Sequence, residues 1–122
     1  MPAAPSLVAI VDDEESVRKA LGRLVRAAGF DVQTFASGAD FLHSLARGAP
    51  QCVVLDLRMP QMSGVEVQGA LAQAQSKVPV VIITGDDATE VRQQTLARGA
   101  SAYLRKPVDE TTLLDAIRNA IR

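Results

Sequence analysis

Five side chains that follow apolar runs carry the chemistry of this chain. Asp12 and Asp13 come after Leu7-Val8-Ala9-Ile10-Val11, and Asp56 ends Cys52-Val53-Val54-Leu55. Thr84 ends Pro79-Val80-Val81-Ile82-Ile83, and Lys106 comes just after Ala102-Tyr103-Leu104. Three carboxylates drawn into one crevice repel each other unless a cation sits among them. Oxygen ligands without added His or Cys select a hard ion. Mg²⁺ takes one or two carboxylates while keeping waters and a phosphate oxygen, and Mn²⁺ can substitute for it. A hydroxyl, an ammonium and a divalent ion around one carboxylate are the parts needed to move a phosphoryl group onto that carboxylate. Taken singly, each residue has an ordinary role: Asp13 a helix cap, Asp56 the start of a turn, Thr84 a strand end, Lys106 a solvated charge. Joint placement at four strand ends is what those roles leave unexplained.

For this chemistry the elements must bring four strand ends together. Continuous apolar runs bounded by turn formers read as strands covered on both faces, as in the middle of a parallel sheet. Asp31 to Phe35 alternates polar and apolar and reads as a half-exposed edge strand. Val17, Ala20, Leu21, Leu24, Val25 and Ala28 repeat at helical spacing, with Asp13 as the cap before them and Gly29 as the stop. Ser37 with Asp40 resembles a capping box, opening a short helix marked by Phe41, Leu42 and Leu45. Ser63 with Glu66 opens another, with stripe Val67, Ala70, Leu71 and Ala74. Asp87 caps a fourth helix whose stripe of Ala88, Val91, Thr95 and Leu96 is thin, and a weakly anchored helix is easier to shift. Asp109 caps the last, with stripe Leu113, Leu114, Ile117, Ala120 and Ile121.

Five strands alternating with five helices imply right-handed crossovers onto a parallel sheet. The expected fold is a doubly wound α/β sheet of order 2-1-3-4-5 with helices on both faces. Ligands then bind at the switch point outside the carboxyl ends of the first and third strands, where the acids lie.

Composition narrows the classes further. Residues 7–122 are expected to form one domain after a loose leader over 1–6. With 48% hydrophobic residues, 22% charged and a net charge of -1, nothing in the balance draws the chain to nucleic acid or an anionic membrane. The single cysteine, Cys52, lies in an apolar strand as an inert thiol. No apolar run approaches the roughly 20 residues that span a bilayer, and the expected compartment is the cytoplasm. His43, on the polar side of a short helix, has no catalytic role.

Val11-Asp12-Asp13-Glu14, Leu55-Asp56-Leu57-Arg58-Met59-Pro60 with Gly64 beyond, Ile83-Thr84-Gly85 and Tyr103-Leu104-Arg105-Lys106-Pro107 together resemble the receiver domain of two-component response regulators. The resemblance runs from about Leu7 to the last helix. Phe35-Ala36-Ser37-Gly38 and the Leu55 to Pro60 wording are most similar to the FixJ-type subgroup. The resemblance implies that Asp56 accepts a phosphoryl group from a sensor histidine kinase. It further implies that Asp13, Asp56 and the Arg58 backbone carbonyl hold Mg²⁺, with Asp12 acting through a metal-bound water. Thr84 and Lys106 would bind the phosphoryl group, Thr84 and Tyr103 would form a switch pair, and the Lys106-Pro107 bond would be cis.

Arg58 and Asp86, each two residues past a site residue, would modulate hydrolysis. The face made by the fourth helix, last strand and last helix would carry the signal and could pair two copies. An output domain that binds DNA would lie outside this chain, so that the chain is no enzyme beyond its own phosphorylation and dephosphorylation. Two rivals remain: a receiver fold used as an interaction module without phosphorylation, and a Mg²⁺-dependent phosphohydrolase of the haloacid dehalogenase kind. The second resembles Asp-x-Asp at the acceptor strand, where this chain has Arg58.

Overall fold

Period-two alternation in the central strands decides which layer each side chain joins. The structure, a computed structural model, describes residues 5–85 and 89–122. Five strands, β1 (Leu7–Val11), β2 (Asp31–Phe35), β3 (Cys52–Asp56), β4 (Val80–Thr84) and β5 (Ala102–Arg105), form one parallel sheet in the order β2-β1-β3-β4-β5. Between and after them run α1 (Glu15–Ala27), α2 (Gly38–Ser44), α3 (Gly64–Gln73), α4 (Thr89–Ala97) and α5 (Glu110–Ile121), with a 3₁₀ turn at Leu45–Arg47. The expected doubly wound fold and strand order are those observed.

One face of the sheet buries Ala9, Val11, Val53, Leu55 and Ile82 against Phe41 of α2 and Val67 and Leu71 of α3. The other buries Val8, Ile10, Cys52, Val54, Val81 and Ile83 against Val25 of α1 and Leu113 and Ile117 of α5. Strands β3 and β4 are buried throughout, while β2 pairs only with β1 and is partly covered only at Val32 and Phe35, as an edge is.

Glycine permits two close approaches. At Gly38 a Cβ would collide with Val67 of α3. At Gly64 it would lie 2.7 Å from the Asp56 carbonyl oxygen and 2.8 Å from Leu57 Cα. The first turn of α3 thereby rests directly on the end of β3.

Several local expectations are corrected. Asp13 does not cap α1: the N-cap is Glu14, without a side-chain cap bond, and the Glu14 N–H donates to Asp12 Oδ1 at 2.9 Å. At α2 only the Ser37 half of the box forms, accepting from the Asp40 N–H, whereas Ser63 and Glu66 of α3 form both bonds. In α1 Ala20 is exposed and Gly22 buried. In α3 Ala74 is exposed and Gln68 buried, because the helix presents the 64, 67, 68, 71 edge to the sheet and to α4. The Asp87 cap and Ala88 fall outside the described residues. Asp109 caps α5, accepting from the Thr112 N–H at 3.0 Å, and this bond holds its carboxyl below the usual range.

Candidate functional site

Strand phase places the acids and the lysine on one side of the rim. Asp12 and Asp56 continue the phase of Ile10 and Val54, and Lys106 that of Leu104, so all three lean toward the layer of α1 and α5. Asp12 is fully buried, Asp56 nearly so and Asp13 exposed, and one carboxylate oxygen from each lies within 4.8 Å of the others. The Lys106 ammonium lies 2.9 Å from Asp12 Oδ2, 3.4 Å from Asp56 Oδ1 and 4.0 Å from Glu14 Oε1. Asp12 Oδ2 is wholly buried, and the Lys106 ammonium is its partner.

The backbone holds these groups in place. The Lys106 N–H donates to the Thr84 carbonyl at 2.8 Å, the Leu57 N–H to Ile83 at 3.0 Å and the Asp12 N–H to Phe35 at 3.1 Å. The Lys106-Pro107 bond is cis. Arg18 Nη1 donates to the Asp12 carbonyl at 2.8 Å, tying the strand end to α1. The Arg58 N–H approaches Asp56 Oδ1 at 3.4 Å, while the Arg58 side chain is exposed.

Electrostatics follow from this crowding. Burial, and then the charge of Asp12, raise the Asp56 carboxyl to about 6 against the opposing pull of Lys106. Burial works against the charged form of Lys106, but Asp12 and Asp56 outweigh it and hold the ammonium above the usual lysine range. The Cys52 thiol, buried in β3, is pushed up to about 12 and is inert at neutral pH. An anionic cluster of carboxylate oxygens that already draws in an ammonium suits a small hard cation in its donor set. A crevice of about 460 Å³, lined by Glu14, Asp56, Arg58, Gly85 and Lys106, opens over it.

Thr84 is brought to the same rim but in the opposite phase. It is fully buried at the end of β4, in phase with Ile82, and it pairs in register with Arg105. Tyr103, half-buried and two residues before Arg105, packs against the core on the side of α3 and α4, so Thr84 and Tyr103 share a face that Asp56 does not. Asp86 lies outside the described residues, and His43 is exposed. Sequence reasoning passed over Glu14 and Arg18. The acidic run after β1 is a signal for the first, whereas Arg18 lies outside the apolar stripe of α1 and nothing in its spacing marks it.

A family model described as the response regulator receiver domain matches residues 8–118. The chain is 38% identical over 117 residues to the response regulator protein TmoT of Ectopseudomonas mendocina, covering 96% of this chain and 53% of TmoT. To the transcriptional regulatory protein FixJ of Rhizobium meliloti it is 36% identical over 113 residues, covering 93% of this chain and 55% of FixJ. The solved structure of FixJ-N superposes with a TM-score of 0.90 at 34% identity, covering 98% of this chain and 95% of that one. The chain spans about half the length of the curated relatives it matches. With the acids, the hydroxyl and the lysine each at the strand end where the fold opens its ligand crevice, and with these likenesses over nearly its whole length, the chain belongs to the response regulator receiver domain family.

Proposed function

We propose that Asp56 is the phosphoryl acceptor of a signalling switch and that a sensor histidine kinase is the donor. A carboxylate oxygen of Asp56 attacks phosphorus, the bond from phosphorus to the donor imidazole nitrogen breaks, and the nitrogen keeps the electron pair. The observation that carries this reading is the Lys106 ammonium 2.9 Å from Asp12 and 3.4 Å from Asp56, a cation held at the acceptor where negative charge will grow. Lys106 pairs with a phosphoryl oxygen, and the Thr84 hydroxyl donates to another. Mg²⁺, or Mn²⁺ in its place, neutralises phosphoryl oxygens when bound. Asp13, Asp56 and the Arg58 backbone carbonyl are the residues that would hold it, with Asp12 behind a water.

Phosphorylation replaces one carboxylate charge by a group nearer -2 with more acceptor oxygens, which can form about one to three charge-assisted hydrogen bonds. The Thr84 hydroxyl turns toward that group, and Tyr103, on the same face, turns inward behind it. The face of α4, β5 and α5 then changes and controls a partner, a second copy or an output domain. The described relatives include transcriptional regulators of about twice this length, which supports a DNA-binding output outside this chain. Arg58 and Asp86 set how readily water reaches the phosphoryl group. The reading places the domain in the cytoplasm. Among the described residues no helix is long and apolar enough to cross a membrane.

Incubation with acetyl phosphate and Mg²⁺, followed by intact mass measurement, tests the proposal. Wild type gains one phosphoryl group and Asp56→Asn gains none. No gain by wild type would leave the fold as an interaction module that works without phosphorylation.

A further inference from the structure

Helix α4 has little to hold it down. Of its residues Thr89–Ala97 only Thr95 is buried, Val91 is half-buried, and Leu96 is 39% exposed. Thr95 is fully buried, and its hydroxyl donates back to the Arg92 carbonyl at 3.0 Å, a bond internal to the helix. The link to the neighbouring helix comes from Gln68 of α3, whose amide Nε2 donates to the Thr95 carbonyl at 2.9 Å across 27 positions of sequence. Gln68 is 4% exposed, an unusual burial for a glutamine.

The second half of the same amide has a different standing. No protein donor among the described residues reaches Gln68 Oε1, which is also buried. Burying a glutamine whose oxygen has no protein partner is unfavourable, so packing alone gives no reason to have an amide here. The amide does have a use if it specifies position. Its one directed bond discriminates between registers of α4, which an apolar contact would tolerate as the helix slides.

We infer that Gln68 is a latch that fixes α4 on α3 in the unphosphorylated domain, and that release of its bond to the Thr95 carbonyl accompanies the shift of α4 on phosphorylation. The second clause rests on the proposed function of the crevice, and the first does not. The open Oε1 leaves the amide able to change partner once α4 moves: the Thr95 hydroxyl, now spent on Arg92, is a donor on the moving helix. Gln68 touches nothing in the acidic crevice, so it acts by position and not in the chemistry.

Hydrogen exchange read by mass spectrometry tests both clauses on wild type, Gln68→Met and Gln68→Leu. Loss of one hydrogen bond of ordinary net strength corresponds to about a fivefold change in a local equilibrium. Both variants should therefore exchange segment 89–97 about fivefold faster than wild type, with β1 and β3 unchanged. An unchanged 89–97, or an equal rise through β1 and β3, overturns the latch. Acetyl phosphate and Mg²⁺ should then speed exchange of 89–97 in wild type but add little in the variants. If phosphorylated wild type shows the mass gain without faster exchange there, the second clause fails. If it shows no mass gain, the reading of the crevice fails, while exchange of the unphosphorylated proteins still decides the latch.

Discussion

Lys106 stands closer to Asp12 than to Asp56, the proposed acceptor, 2.9 Å against 3.4 Å. The ammonium is shared between the fully buried Asp12 and the acid proposed to react. Asp12 is thus a rival for the lysine and a source of charge that raises the Asp56 carboxyl. Replacement Asp12→Asn removes both effects, so the Asp56 carboxyl should fall from about 6 toward its ordinary value. Carbon-detected NMR titration of metal-free protein reads this directly, and an unmoved midpoint would contradict it.

A raised acid costs stability once it ionises. Between the ordinary value of 3.8 and about 6 the folded domain binds more protons at Asp56 than the unfolded chain does, so stability falls as pH rises through that window. The shift corresponds to about 2 to 3 kcal/mol above the window. Urea unfolding of metal-free wild type and Asp56→Asn should diverge from pH 4 to 7, the variant gaining by roughly that amount. Mg²⁺ should raise the wild-type midpoint at pH 7.5 and hardly at pH 4.5, where protons compete for the site.

Gly64 supports the proposed acceptor, Asp56, from behind. In Gly64→Ala the new methyl would press on the Asp56 carbonyl oxygen and Leu57 Cα, both backbone atoms that side-chain rotation cannot relieve. Overpacking of this kind costs about 1 to 3 kcal/mol. Displacement of the β3 end should also slow phosphorylation by acetyl phosphate. Denaturant midpoints and the time course of mass gain check both effects.

The loop between β3 and α3 turns at Gln61, which has φ of 69°, with the Met62 N–H donating to the Pro60 carbonyl at 2.7 Å. A positive φ in this three-residue turn is costly for a branched side chain. Gln61 is exposed, so its own packing contributes little. Gln61→Val should lower stability by about 1 to 2 kcal/mol, whereas Gln61→Gly should not. Equal midpoints for the two variants in urea would exclude backbone strain there.

Tyr103 is a built-in reporter, since the chain has one tyrosine and no tryptophan. If the ring turns inward when Thr84 turns toward the phosphoryl group, tyrosine emission should change on phosphorylation in wild type. In Thr84→Val the mass gain, even if slowed, should occur without that change. Emission that responds equally in both proteins would separate the two residues.

The positions of β1, β2, β3 and β4 in the sheet were legible in the chain because burial on both faces leaves a continuous apolar run and the β2 edge leaves alternation. Asp12, Asp56, Thr84 and Lys106 were legible because each follows such a run, a purely local pattern. Tertiary structure alone decided the division of the rim, with Asp12, Asp56 and Lys106 leaning to the layer of α1 and α5 and Thr84 with Tyr103 to the other. That division depends on lateral register between strands far apart in sequence. The absence of an Asp13 cap at α1, where the Glu14 N–H instead donates to Asp12, depends on how the β1 end turns into the helix. The burial of Gln68 depends on α4 resting over it, a contact across 27 residues that no periodicity within α3 encodes.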